Sequence, residues 1–236
     1  MVQLSKRLSA VAQLVTITGI LADVGTDHGY IPVYLTGKEQ IKKAIAMDVN
    51  QGPLERAQEH IRQYGLENRI ETRLSDGLQA LKTKEVEGIV IAGMGGNLMK
   101  RILMQGEQVA HTAKELILQP QSEVMEFRKF LWESGYTIVA EDMVLEDGKY
   151  YPMMRVVYEN AQKEILDVLA LKYGEKLLEQ KHPVLKQYLL WQKMQKEKIL
   201  GNLQKNAKKD VSSRKEEIEE ELSYIAHALE KIDGAK

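Results

Sequence analysis

The chain has 236 residues, 44% of them hydrophobic, with a formal net charge of −1 and no cysteine. It is long and apolar enough for one large domain or a domain with an appendage, yet no apolar run approaches the roughly 20 residues of a membrane span. Disulfides, thiolate metal sites and a cysteine nucleophile are excluded, and so is a chain that holds nucleic acid by bulk charge alone.

At the N-terminus, Lys6 and Arg7 precede a short amphipathic segment rather than the apolar core and cleavage site of a signal peptide. A cytoplasmic protein is expected. From residue 1 to about 160, short apolar runs alternate with helical patterns, the signature of an α/β sheet. Strands are predicted at 20–24, 43–47, 69–73, 88–92, 115–119, 136–144 and 151–158. Helices are predicted near 3–15, 29–36, 51–64, 97–105 and 122–134. The last two strands flank Glu146-Asp147-Gly148-Lys149, a turn that should pair them antiparallel. Five largely parallel strands ending in such a hairpin form a doubly wound sheet of methyltransferase type.

The first strand runs into Asp23-Val24-Gly25-Thr26-Asp27-His28-Gly29-Tyr30. Two glycines four apart at a strand-to-helix turn let backbone pass close to a ligand. The spacing is not the G-x-G-x-x-G that seats a dinucleotide pyrophosphate. Acids on both sides of Gly25 crowd an anion but suit a cation. S-adenosylmethionine carries a sulfonium and an ammonium, so it is the better candidate. Three more loops should reach the same sheet edge. Met47-Asp48-Val49 ends the second strand, where a carboxylate can accept both ribose hydroxyls. Ser75-Asp76-Gly77 offers a short acid to an adenine amino group. Ala92-Gly93-Met94-Gly95-Gly96 has three glycines in four positions, open to close approach by cofactor and substrate.

From about 161 the pattern is helical to the end. Ile165, Leu169, Tyr173 and Leu177 recur every four residues, and Pro183 breaks that run. Leu185, Leu189, Ile199 and Leu203 mark a further helix. Ile218, Leu222, Ile225 and Leu229 then follow 4-3-4 spacing, a coiled-coil stripe. A reversal is expected at 206–213, making the last two helices an antiparallel pair. Between Lys172 and Lys209 there are ten lysines against three glutamates, and Glu216, Glu217, Glu219, Glu220 and Glu221 follow. The two arms can pair with each other, or the lysines can present a surface to phosphates. The expected domains are therefore 1–160 and 161–236.

These motifs together are similar to the bacterial tRNA adenine-22 N1-methyltransferase family. The resemblance rests on Leu4-Ser5-Lys6-Arg7-Leu8, Asp27-His28-Gly29, Met47-Asp48-Val49, Ser75-Asp76-Gly77-Leu78, Ala92-Gly93-Met94-Gly95-Gly96 and Leu118-Gln119-Pro120. It implies an α/β fold, a Rossmann-like class I methyltransferase sheet, with a C-terminal all-α coiled-coil domain. It also implies methyl transfer from S-adenosylmethionine to N1 of an adenine in the D-arm of tRNA.

By position, Asp23, Gly25, Thr26, Asp27 and Gly29 would line the methionine end of that cofactor. Asp48 and Val49 would meet the ribose, Asp76 and Gly77 the adenine, and Gly93 and Met94 the transferable methyl. Asp27 and then His28 are the candidate catalytic residues. Lys6 and Arg7 are candidates for the tRNA backbone, and Tyr30, Gln119 and Tyr151 for the flipped target base. No metal is expected; the sequence does not fix the oligomeric state and slightly favours a monomer.

The loop after the fourth strand departs from the Asn/Asp-Pro-Pro-aromatic loop of many exocyclic amino-methyltransferases. Adenine N1 has an in-plane lone pair and no proton to lose, so positioning alone can serve. Two other readings stay open. One is a class I methyltransferase for a protein or small molecule, with the coiled coil as an oligomerisation arm. The other is a non-catalytic ligand-binding protein.

Overall fold

The structure, a computed structural model, describes residues 2–160, 167–205 and 212–234. It divides into two units, Met1–Glu164 and Ile165–Lys236. In the first, the strands are β1 (Ile20–Val24), β2 (Lys43–Asp48), β3 (Ile70–Leu74), β4 (Gly88–Met94), β5 (Glu115–Pro120), β6 (Tyr136–Glu146) and β7 (Lys149–Tyr158). They form one sheet in the order β3-β2-β1-β4-β5-β7-β6. β1 pairs in parallel with β2 on one side and β4 on the other, while β7 runs antiparallel to both β5 and β6. Asp147 (φ 49°) and Gly148 (φ 73°) form the tip of the last hairpin. Two central residues at positive φ match the right-handed twist of the flanking strands.

Helices α1 (Lys6–Leu14), α2 (Tyr30–Gly37) and α3 (Gln51–Gln63) and helices α4 (Gly96–Gln105), α5 (Glu107–Ala110) and α6 (Val124–Glu133) complete this unit. The central strands alternate their side chains between two apolar clusters, as a sheet covered on both faces requires. Ala22, Ile45, Met47, Ile89 and Ile91 pack with Met99, Leu103 and Phe127 from α4 and α6. Leu21, Ala44, Ala46, Val90 and Ile117 pack with Val11, Ile31 and Leu35 from α1 and α2. Each large side chain so buried contributes about 1.5–3 kcal/mol against the entropy of ordering the chain.

The chain moves outward from β1 through β2 to β3, then returns to place β4 on the other side of β1. That reversal of direction leaves a crevice at the carboxyl ends of β1 and β4. The fold therefore matches the expected sheet, including its terminal hairpin.

The second unit contains α7 (Val168–Tyr173), α8 (Glu175–Glu179), α9 (Pro183–Lys205) and α10 (Ser212–Asp233). The fourfold recurrence from Ile165 to Leu177 does not make one helix. Gly174 at φ 91° ends α7 and starts α8, and Ile165 itself lies outside the described residues. Pro183 opens α9, where its missing N–H costs nothing. Leu185 and Leu189 of α9 are buried, as are Ile218, Ile225, Ala228 and Ile232 of α10. Lys186 near the start of α9 pairs with Asp233 at the end of α10, and Lys196 pairs with Glu221 near the middle of both, which fixes an antiparallel pair. Of the expected reversal at 206–213, residues 206–211 lie outside the described residues, and Ser212 and Ser213 already belong to α10.

Candidate active site

At the crevice between β1 and β4, a cleft of about 290 Å³ is lined by Arg7, Leu8, Asp23, Gly25, Thr26, Asp27, Tyr30, Ile31, Ala92, Gly93 and Gln121. Its floor is the turn after β1. The N–H groups of Gly25 and Thr26 both donate to the carbonyl of Met47 at 2.8 Å, tying that turn to the end of β2. Gly25 sits at φ 74°, and a Cβ there would fall 2.0 Å from Cε of Met94. The position thus needs glycine for its backbone and for the room that Met94 occupies.

Asp23 is 6% exposed, and the Thr26 hydroxyl donates to its Oδ2 at 2.6 Å. Burial pushes its carboxyl up to about 6, although the Thr26 bond pulls the other way; the nearby Asp48 carboxylate adds a smaller push upward. A buried carboxylate in that condition suits a cationic ligand group.

The neighbouring turn residues face outward. Asp27 is mostly exposed and forms an ion pair with Arg56 of α3 at 3.0 Å, with Nε2 of His28 at 3.5 Å. His28 adopts φ 60°, and its carbonyl accepts a hydrogen bond from Nδ1 of His60 at 2.8 Å. The His28 ring stacks on Tyr30 (5.4 Å), whose edge meets His60 (5.1 Å). Gly29 at φ 63° closes the turn into α2.

Asp48 ends β2, and its Oδ1 accepts the N–H of Asn50 at 2.7 Å. Val49 beside it is 58% exposed, an apolar surface at the same edge. The N–H of Ser75 donates to the Asp48 carbonyl at 2.9 Å, which draws the third loop alongside. There Asp76 is exposed, while Gly77 is buried at φ 58° with its carbonyl accepting from the Ser75 hydroxyl at 2.9 Å.

The opposite wall is built around Gln119, which has no exposed surface. Its Oε1 accepts both the N–H of Gly93 at 3.1 Å and Nη1 of Arg7 at 2.8 Å, and its Nε2 donates to the Pro120 carbonyl. Gln119 is thus a support for the wall rather than a surface open to a base. The Arg7 guanidinium lies 5.7 Å from the centre of the Tyr151 ring. Lys6, exposed, donates Nζ to the Leu145 carbonyl at 3.1 Å.

Arg7, Asp23, Gly25, Thr26, Asp27, Tyr30 and Gly93 therefore come together in the cleft. Asp48, Val49, Asp76 and Gly77 extend the same sheet edge away from it, and Lys6, His28, Gly29, Met94, Gln119 and Tyr151 border or support it. Sequence reasoning missed Leu8, Ile31, Ala92, Gln121 and the Arg56 and His60 contacts. Leu8 and Ala92 lay inside motifs already singled out, and Gln121 lies two residues past Gln119 on the same strand exit; Ile31, Arg56 and His60 carried no such signal. Among the described residues no group of histidines and acids could hold a metal ion.

A family profile described as "Methyltransferase domain" matches residues 4–154. The chain is 36% identical over 152 residues to the tRNA (adenine(22)-N(1))-methyltransferase of Bacillus subtilis, an alignment spanning 64% of each protein. It thus spans just under two thirds of that relative. A structure of Streptococcus pneumoniae Sp1610, a proposed tRNA (m1A22) methyltransferase, in complex with S-adenosyl-L-methionine superposes with a TM-score of 0.84. It is 34% identical and covers 96% of this chain and 100% of that one. TrmK of Mycoplasma capricolum, in complex with S-adenosyl-homocysteine, gives 0.81 at 29% identity, over 97% of this chain and 99% of that one. A methyltransferase sheet, a cleft at its switch point and likeness along nearly the whole chain converge: the protein belongs to the bacterial tRNA (adenine-22 N1)-methyltransferase family.

Proposed function

We propose that the protein transfers a methyl group from S-adenosylmethionine to N1 of adenine 22 in the D-arm of tRNA. One observation carries the reading: the loops ending β1, β2, β3 and β4 reach one sheet edge, with buried Asp23 and half-buried Asp48 facing it. The residues present fit the cofactor. Asp23 is a buried carboxylate suited to an ammonium, Asp48 stands at the strand end that suits a ribose diol, and Gly25 leaves backbone open to close approach.

The bound cofactor supplies an electrophilic methyl group on a sulfonium. What the chain supplies is position. Asp23, Thr26, Asp48 and the Gly77 backbone would hold the cofactor along the sheet edge. Gly93, whose N–H bonds Gln119, and Met94, whose carbonyl accepts the Gln121 N–H, would border the transferable methyl. N1 lies on the pairing edge of adenine, so the base must leave its stack to enter. Tyr30 and Tyr151 are the aromatic platforms at hand. Asp27, at the rim, offsets the positive charge that appears on the base as N1 is methylated, and His28 orients it. A tRNA substrate supports a cytoplasmic site of action.

Incubation with labelled S-adenosylmethionine and unmodified tRNA transcripts tests the reading. Nuclease digestion and mass spectrometry should find 1-methyladenosine in the D-arm. A protein that binds S-adenosylhomocysteine yet modifies no tRNA would instead act on a protein or small molecule.

A further inference from the structure

We propose that Gln121 selects the target base: its side-chain amide pairs with the N6 amino group and N7 of adenine, and so leaves N1 bare for the methyl. The inference rests on the tRNA adenine reading above and adds the residue that tells adenine from other bases.

N1 attacks through its in-plane lone pair, so no protein group can occupy that atom. The base is still readable along the neighbouring edge, where the N6 amino group donates and N7 accepts. A planar amide, with one acceptor and one donor side by side, matches that edge. Among the described residues that line the cleft, Gln121 alone carries a side-chain amide. Arg7 only donates, and Asp23 and Asp27, as carboxylates, only accept. The Thr26 hydroxyl is spent on Asp23, and the Tyr30 hydroxyl is a single atom that cannot span two partners. Guanine presents acceptors at both O6 and N7, so the same amide disfavours it.

The two glutamines at the exit of β5 are differently used. Gln119 is buried, with both ends of its amide engaged. Gln121 is exposed, and its amide makes no hydrogen bond among the described residues. Its backbone, by contrast, is fixed. The Gln121 N–H donates to the Met94 carbonyl at 2.8 Å, and the carbonyl of the next residue, Ser122, accepts the Gly96 N–H at 3.1 Å. Those bonds tie the strand exit to the glycine loop on both sides of Gly95, so the amide projects from a preorganised base. Nε2 of Gln121 lies 3.6 Å from where a Cβ on Gly93 would stand. The amide therefore sits beside the loop that would border the transferable methyl, and the missing side chain at Gly93 leaves that place to the incoming ring. Half-buried Tyr30 lines the same cleft and offers a ring to stack on.

The test compares two tRNAs assembled by ligation, one with adenosine at position 22 and one with 7-deazaadenosine, which keeps N1 and the amino group but replaces N7 by C–H. In the wild-type protein the 7-deaza change should lower kcat/KM for methyl transfer about 3- to 10-fold, the range of one lost hydrogen bond. Gln121→Ala should lower kcat/KM on adenosine tRNA about 10- to 100-fold, and the 7-deaza change should then matter by less than about 2-fold. Gln121→Glu puts an acceptor against N7, so in that variant the preference should reverse and 7-deazaadenosine should become the better substrate. S-adenosylhomocysteine affinity by calorimetry should stay within about 2-fold in both variants, which also shows that they are folded. An equal 7-deaza penalty in the wild type and in Gln121→Ala overturns the proposal, because N7 is then read by another group. So does a wild type indifferent to the 7-deaza change. A wild type that binds S-adenosylhomocysteine yet methylates neither tRNA removes the tRNA reading, and the role of Gln121 with it.

Discussion

The Thr26 hydroxyl lies 2.6 Å from Oδ2 of Asp23, inside the turn that joins β1 to α2. It is one hydrogen bond for a buried carboxylate, and it does not offset the cost of burial, which holds the group near pH 6. A cationic ammonium binds the ionised form. With a midpoint near 6, about one tenth of the carboxyl is ionised at pH 5 and about nine tenths at pH 7. Cofactor affinity should therefore fall about tenfold from pH 7 to pH 5, with proton release on binding at the lower pH. Calorimetry in buffers of different ionisation heat reads both. In Asp23→Asn the affinity should be weaker and the pH dependence gone; a slope that survives the substitution would place the titrating group elsewhere.

The same carboxylate should cost the empty fold stability. Its folded value lies above the unfolded one, so the neutral form is favoured in the fold. The penalty is absent below about pH 4, grows between about 4 and 6, and is complete above 6, at about 3 kcal/mol for two units. Asp23→Asn should stabilise the ligand-free protein by about 1–3 kcal/mol at pH 7.5 and by little at pH 4. Urea unfolding at the two pH values checks this. An equal effect at both would mean that ionisation is not its source.

Asp48 acts on the other half of the cofactor. One of its oxygens orders the loop by accepting the Asn50 N–H, and the other is the candidate for the ribose diol. Asp48→Ala should weaken S-adenosylhomocysteine by about 100-fold or more, the cost of two hydrogen bonds to a charged acceptor at about 1.5–3 kcal/mol each. Asp48→Asn, which restores an amide oxygen as acceptor, should recover part of it. Unchanged affinity in Asp48→Ala would remove Asp48 from the site.

The sheet was legible because its inner strands are short apolar runs, and buried parallel strands carry that pattern in sequence order. Strand β4 runs to Met94, two residues beyond its apolar stretch, because the Gly93 loop stays paired with β5 across a bulge. Four-residue α5 is too short for any periodicity to mark it. Gly174 broke a helical run that four-residue spacing alone joined, because spacing cannot report a positive φ. In the cleft, the acids and glycines of each turn were visible because they sit beside strand ends. The support was not: Arg7 and Gln119 are 112 positions apart, and Arg56 reaches Asp27 from across α3. Long-range pairs leave no trace in local pattern.

One such pair carries stability rather than chemistry. Arg128 of α6 and Glu141 of β6 are 3% and 0% exposed at their side chains, with Nε and Nη2 at 3.0 and 2.9 Å from the same oxygen, Oε1. Removing one partner strands a buried charge. Glu141→Ala should cost about 3–5 kcal/mol in urea unfolding. Replacing both with apolar residues of similar volume should cost much less. Similar losses in the single and double variants would show that packing, not charge, holds this corner.

The helical unit tests the substrate side of the proposal. Lys186 and Lys196 pair with α10 and are neutralised there, and Lys193 pairs with Glu197 along its own helix at 3.9 Å. Lys198 is exposed, and Leu190, Trp191 and Met194 are exposed on the same helix. If the helical unit meets tRNA, α9, with exposed Lys193 and Lys198, is the face to test. Lys193→Glu with Lys198→Glu should raise the KM for tRNA several-fold and lower the slope of affinity against salt by about one per lost phosphate contact. Binding of S-adenosylhomocysteine should not change, because the cleft lies in the other unit. An unaltered KM and salt slope would leave tRNA recognition to the sheet unit and make the α9–α10 pair a scaffold.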